Sequence, residues 1–387
     1  MNSVYDVETY GAVADGETLN TKAFQAAIDA CTEAGGGTVL CGAGTYRIGS
    51  LELKNNVELH LTPGCKLSGS KNVDDLKSFR SEGFKHENSP EGTALYLIGA
   101  NHANNIAITG KGEINANGVG FYDQNAVRSN GKFLVKPKQR PRIVMMHRCT
   151  DVRFEDASFV DSPCWTFWIM QCDRVNIHRI RINGDQRMIN NDGLDIDSCK
   201  NVTINDCIIK TDDDCIILRA IQSVFDTPAI CENVVVSNCL LESTCQCIRI
   251  SCPSDHIVRD AVFSNLILKS KANGINFDYP NRYLSAGSKG GADVSNISFS
   301  NLIIESKNIP LRIDVAEGVE LSQFKGINFS DIRIKSDAPC VVNGNLETIL
   351  EDVVFNNVRI DSSADQAIIT SRCKGLEMNN VKLSSNV

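Results

Sequence analysis

The sequence predicts an all-β chain wound as a right-handed parallel β-helix, with one helix capping its N-terminal end. Three observations predict it: a strand-turn-strand pattern that recurs along most of the chain, repeat units with no helical or leucine signature, and one amphipathic helical stretch ahead of the first coils. The recurring unit is a short apolar/polar alternation, a polar pair, and a second short alternation. Copies begin at Val152, Val175, Val202 and Val234, then at Ala261, Ile297, Ile327, Val353 and Leu376, with shorter ones at Val57 and Ile106. Many successive starts lie about 23 to 36 residues apart, a solenoid period. The units are rich in β-branched residues and broken by Asn, Asp and Gly, which selects strands and turns over helical or leucine-rich solenoids.

In such a coil equivalent positions stack at about 4.8 Å, so inward Ile, Val, Leu, Phe and Cys form ladders. Cys149, Cys172, Cys199, Cys231 and Cys373 each stand just ahead of a repeat, as one ladder requires. A solenoid leaves its first coil open. There Asn20 is placed to cap a helix whose Phe24, Ala27, Ile28 and Cys31 share a face, and Gly35-Gly36-Gly37 ends it, so the helical region spans 20–35. Gly42-Ala43-Gly44-Thr45 lacks the Lys-Ser/Thr ending of a phosphate loop and reads as a turn.

The 387 residues, 42% of them hydrophobic, suffice for one domain across 1–387. A net charge of −8, from 39 basic and 47 acidic residues, has the wrong sign for nucleic acid or an anionic membrane as main partner. No apolar run reaches the roughly 20 residues of a membrane span, and the start, Met1-Asn2-Ser3-Val4-Tyr5, lacks a basic-then-apolar leader. The sixteen cysteines sit mostly inside apolar strands, as in Cys207-Ile208-Ile209, and read as buried free thiols rather than a disulfide scaffold. A cytoplasmic location is the expectation, with a secreted or periplasmic chain stripped of its leader as the alternative. Cys245-Gln246-Cys247 lacks zinc-ligand spacing, so neither a metal nor a cofactor is expected.

The most acidic segments are Asn190-Asn191-Asp192-Gly193-Leu194-Asp195-Ile196-Asp197 and, one coil later, Thr211-Asp212-Asp213-Asp214. Aligning the apolar ladders points Leu194 and Ile196, Ile216 and Leu218, Ile248 and Ile250, and Ile275 and Phe277 inward. The outer face then carries Asp195 and Asp197, Ile217 and Arg219, Arg249 and Ser251, and Asn276 and Asp278. A second column, at the strand entrances, holds Asp192, Asp214, Gln246 and Asn273, with Asp213 beside Asp214. Carboxylates gathered this way disfavour joint ionisation, so one keeps its proton near neutrality. Glycoside hydrolysis uses that pairing, one carboxyl protonating the leaving oxygen and another activating water. Trp168, outward one coil before Asp195, is a candidate for stacking on a sugar. His60, His147 and His178 lie outside the cluster and read as structural.

These residues resemble glycoside hydrolase family 28, the polygalacturonases and rhamnogalacturonases, whose signature pairs an Asn-x-Asp with a later Gly-Asp-Asp. Here the two appear as Asn190-Asn191-Asp192 and Asp212-Asp213-Asp214. The likeness extends from Tyr10-Gly11-Ala12-Val13-Ala14-Asp15-Gly16 through Gly35-Gly36-Gly37-Thr38-Val39, Ile108-Thr109-Gly110-Lys111-Gly112-Glu113-Ile114 and Arg140-Pro141-Arg142 to Ser162-Pro163-Cys164-Trp165-Thr166. The resemblance implies an inverting hydrolase in which Asp213 is the acid while Asp192 with Asp214 holds the water. Two departures stand out. The family's Gly-His-Gly is Cys245-Gln246-Cys247, and its carboxylate-gripping Arg-x-Lys is Asn276-Phe277-Asp278, where an aspartate would repel a galacturonate. Arg219 and Arg249, with Arg312 further along, are the candidates to offset that loss.

The expected function is hydrolysis of a pectic or related poly- or oligosaccharide, with Asp192, Asp213 and Asp214 catalytic. Asn190, Asp195, Trp168, Arg219, Gln246, Arg249, Asn276 and Asp278 are the candidate substrate contacts. Two other classes share the expected fold. A uronan lyase or epimerase abstracts a C5 proton and calls for a Lys, Arg, His or Tyr base, or calcium, rather than three aspartates. A non-catalytic glycan-binding β-helix needs the platform alone.

Overall fold

Alternating apolar residues bury one side of each strand, and a residue in the left-handed region, most often Asn or Asp, turns the chain at the corners. The polar pair of the repeat is that corner: Asn265, Asn301, Asp331 and Asn357 all have φ between 53° and 56°. Their side chains bond from coil to coil, Asn301 Nδ2 to Asn265 Oδ1 at 2.8 Å and Asn265 Nδ2 to Asn238 Oδ1 at 3.1 Å. A turn residue thus also serves as a ladder rung.

The computed structural model describes residues 3–385, which fall in two compact units, 3–195 with Val202–Asp212, and Ile196–Asn201 with 213–385. Each is built of parallel coils, and the fold is a right-handed parallel β-helix. In the first unit Ile106 opposes Val152 and Val152 opposes Val175, as the repeat spacing predicts. In the second, Val234, Ala261, Ile297, Ile327 and Val353 oppose one another in turn. No helix among the described residues is long and apolar enough to cross a membrane.

The helix Thr21–Glu33 buries Phe24, Ala27, Ile28 and Cys31, and Phe24 meets the Tyr46 ring edge-on at 5.4 Å. One expectation about it needs correction. Asn20 sits at the N-cap, but its side chain makes no cap bond; it bonds the backbone of Val13 and Thr18 instead. That pins the incoming strand turn rather than the helix. All sixteen cysteines are free thiols, and all but Cys245 and Cys373 are buried.

In the second unit Phe263, Phe299, Phe329 and Phe355 stack as a column with centroid spacings of 4.9, 5.2 and 4.9 Å. Each interior ring packs on two others, so a cavity there cannot collapse without moving two coils. Phe299→Ala is expected to cost about 3 to 5 kcal/mol in denaturant unfolding. A loss below about 1 kcal/mol would show that this column does not hold the coils together.

Candidate active site

In the first unit the Asn-x-Asp turn is braced from below. Arg140, buried, donates to the Tyr122 hydroxyl at 2.7 Å, to Pro163 O and Ile189 O at 3.0 Å each, and to Asn190 Oδ1 at 3.1 Å. Asn190 is therefore held by the protein, with φ 58° at the turn. Asn191, only 1% exposed, accepts the Asp212 backbone N–H at 2.6 Å and donates to Asp185 O at 2.9 Å. It ties the two signature motifs together. Lys132 pairs with the Asp212 carboxylate where the family has glycine. Asp192 is buried, and its carbonyl accepts Thr166 N–H at 2.8 Å.

Two expected sugar contacts in this unit are corrected. Trp168 is fully buried, edge-on to Phe84 at 5.5 Å and Trp165 at 5.4 Å, with the Arg142 guanidinium 4.6 Å over its ring. A ring covered on these sides offers no face to a sugar. Asp195 is equally buried. Phe167 N–H bonds Gly193 O, which sets Asp195 in register with Trp168. Pointing out of the coil is thus not the same as reaching solvent, because the non-repeating segment around Phe79 and Phe84 packs over this strand face.

In the second unit the predicted register holds throughout. Ile216, Ile248, Ile275 and Leu311 oppose one another inward, and Ile217, Arg249, Asn276 and Arg312 line the outer side. Gln246 opposes Asn273 at the strand entrance. Asp214 is 4% exposed, whereas Asp213 is half-buried, with its carbonyl accepting the Ser243 hydroxyl at 2.6 Å. Burial first, and the neighbouring Asp213 charge second, push the Asp214 pKa up to about 7, while Arg249 and Arg219 pull it back. Burial and the like charge thus favour one proton held by the Asp213–Asp214 pair rather than by one member.

The arginines are largely committed within the protein. Arg219 pairs with the buried Asp255 at 3.4 Å. Arg249 is only 5% exposed, lies 5.0 Å over the Tyr283 ring and donates to Asp278 O at 3.4 Å. Asn276 is fully buried. The expected repulsion by Asp278 is softened, because Arg282 at 3.5 Å and Arg312 at 3.8 Å face its carboxylate. Several buried polar atoms here have no hydrogen-bond partner: Asp214 Oδ1, Gln246 Oε1, Arg249 Nε and both side-chain atoms of Asn276. Such atoms cost free energy unless something fills their bonds, as a polar ligand or its water does. Of the histidines read as structural, His60 bonds the Thr109 hydroxyl and buried His147 the Ser81 hydroxyl, each at 2.7 Å.

Sequence reasoning did not single out Asn191 or Arg140 as parts of the site, although both lie in stretches that carried the resemblance. A lone buried arginine has no pattern of its own in sequence. Asn191 could have been found as the middle residue of a turn in which both neighbours were assigned roles.

A probable polygalacturonase of Vitis vinifera is 29% identical over 54% of this chain, and the match spans 43% of that relative, less than half its length. An endo-polygalacturonase of Pectobacterium carotovorum is 24% identical over 91% of this chain and 86% of its own. Among solved structures, a hyperthermoactive exopolygalacturonase from Thermotoga maritima superposes with a TM-score of 0.73 at 19% identity, covering 99% of this chain and 92% of the other, which shows the shared β-helix. Residues 31–231, which include both acidic motifs, match the glycosyl hydrolases family 28, and the chain belongs to that family.

Proposed function

We propose that the chain hydrolyses a pectic or related poly- or oligosaccharide by inverting acid/base chemistry. The observation that carries this reading is the Asp213–Asp214 pair, one member sealed and raised to a pKa of about 7, the other half-exposed. Half-buried Asp213, the more accessible of the two, is the member we assign to hand the shared proton to a leaving oxygen, and the family motif supports Asp192 as the group that activates water. Proton transfer to the glycosidic oxygen and attack of water then break the C–O bond with inversion at the anomeric carbon. The uronan lyase or epimerase alternative calls for a Lys, Arg, His or Tyr base, or calcium, and the matched motifs carry aspartates instead. We read the many cysteines buried within apolar strands as favouring a reducing, cytoplasmic setting.

Substrate choice follows from the departures. Where the family grips a carboxylate, this chain has a buried Asn276 and an Asp278 engaged by Arg282 and Arg312, while Arg219 and Arg249 face Asp255 and Asp214. We therefore expect kcat/KM on plain polygalacturonate to fall about tenfold or more below that on the best of a panel of defined pectic and neutral oligosaccharides, an interval of roughly 1.4 kcal/mol. Equal turnover on polygalacturonate would contradict the assignment of Asn276 and Asp278. Products bearing a C4–C5 double bond would replace hydrolysis by elimination.

A further inference from the structure

One half-buried thiol lies beside the acid pair. Carboxylate oxygens of Asp213 and Asp214 and the Sγ of Cys245 all lie within 4.8 Å of one another. Asp214 is 96% buried, and its Oδ1 has no hydrogen-bond partner. That second observation distinguishes the cluster from an ordinary acidic turn, because it leaves a lone pair in need of a donor or a cation. From these residues we infer that Asp213, Asp214 and Cys245 bind a zinc-class divalent cation, and that the bound ion shuts off hydrolysis.

Ligand type decides the class of ion. Calcium and magnesium take oxygen donors, whereas a thiolate with carboxylates suits borderline-soft ions such as Zn²⁺. With Zn–S near 2.3 Å and Zn–O near 2.0 to 2.2 Å, tetrahedral ligand atoms sit about 3.4 to 3.6 Å apart, so small side-chain rotations close the present separation. Three protein ligands would leave a fourth position for water. The spacing of Cys245 and Cys247 gave no hint of this, because the other ligands come from the preceding coil.

Binding transfers no electrons. The thiol proton, and the proton held by the carboxylate pair, pass to solvent as the three groups take up the ion. Arg249 and Arg219 offset part of the negative charge on Asp214, while burial first, and then the Asp213 and Asp214 charges, push the Cys245 thiol up, so the ion must displace the thiol proton now shared with Asp213. A pair bound to metal has no proton to give the leaving oxygen, so inhibition follows if the hydrolase reading is right; the binding site itself does not depend on that reading.

The probe is Co²⁺ titrated into the full chain. We expect a thiolate-to-cobalt charge-transfer band that saturates near about one ion per chain and is displaced by Zn²⁺. Cys245→Ser should abolish the band and weaken binding by more than about 100-fold, since even outer-shell losses cost roughly 10- to 100-fold. Asp214→Asn, which leaves the thiol in place, should weaken binding as well. Zinc should inhibit glycan cleavage by the unaltered chain, and a chelator should restore it. Absence of the band, or an equal band in Cys245→Ser, would overturn the site. A chain that binds cobalt this way yet cleaves no glycan would refute the glycosidase reading and leave the metal site standing. Cleavage without a cobalt band would do the reverse.

Discussion

Asp213→Asn is expected to lower kcat by roughly 10² to 10⁴ on the preferred substrate, the share general-acid catalysis commonly contributes. The amide keeps the shape of the carboxyl and its capacity for hydrogen bonding, and it removes only the transferable proton. Two features separate this from a structural defect. The loss should shrink for substrates whose leaving group departs without protonation, such as an activated aryl glycoside, and KM should change little. Asp192→Asn, by contrast, should impair every substrate alike, since water must be activated whatever departs. Equal losses for Asp213→Asn on good and poor leaving groups would remove Asp213 from the acid role.

The second large effect is on pH. The raised Asp214 pKa, about 7, means that the pair keeps a proton up to near neutrality and loses it above. Activity should therefore decline as pH rises through about 7, and kcat/KM should show its basic limb there. Stability follows the same group. Between about pH 4 and pH 7 the folded chain binds a proton that the unfolded chain has released, so this contribution is fully present below pH 4 and is lost as pH rises through 7. The change scales at about 1.36 kcal/mol for each pKa unit by which folding raises the proton affinity of the pair. Asp214→Asn, which resembles the protonated form at all pH values, should flatten this part of the curve in denaturant unfolding followed from pH 4 to 8. A slope unchanged in the variant would show that Asp214 ionises normally.

Register was the part of this protein most open to sequence reading. Stacking forces each position of a coil onto its equivalent in the next, so the ladder from Val234 through Ala261, Ile297 and Ile327 to Val353 could be read by aligning starts, and the strands pair that way. The inward places of Ile216, Ile248 and Ile275 followed from period-two alternation and hold for the same reason. Exposure was less legible. Alternation says which side of a strand a residue leaves, and Trp168 and Asp195 do leave the coil, yet both are buried. The chain around Phe79 and Phe84 that packs over Trp168 carries no repeat, so nothing in its pattern announced where it would lie. Pairing across coils was legible only for apolar residues. The engagement of Asp278 by Arg282 and Arg312, of Arg219 by Asp255, and of Asn190 by Arg140 depends on side-chain reach, which a register does not encode. The same holds for Cys245, whose approach to Asp213 and Asp214 arises from the stacking of two turns.

The central claim is that three aspartates carry out hydrolysis in a single displacement. Its most direct test is to follow the product anomer by proton NMR in the first minutes of cleavage, before mutarotation, using whichever pectic oligosaccharide is turned over fastest. The account predicts that the newly formed reducing end first appears with the configuration opposite to that of the bond cleaved. A product that first appears with the original configuration would mean that a carboxylate attacks the sugar to form a covalent intermediate, and would contradict the mechanism even if Asp192, Asp213 and Asp214 all proved essential.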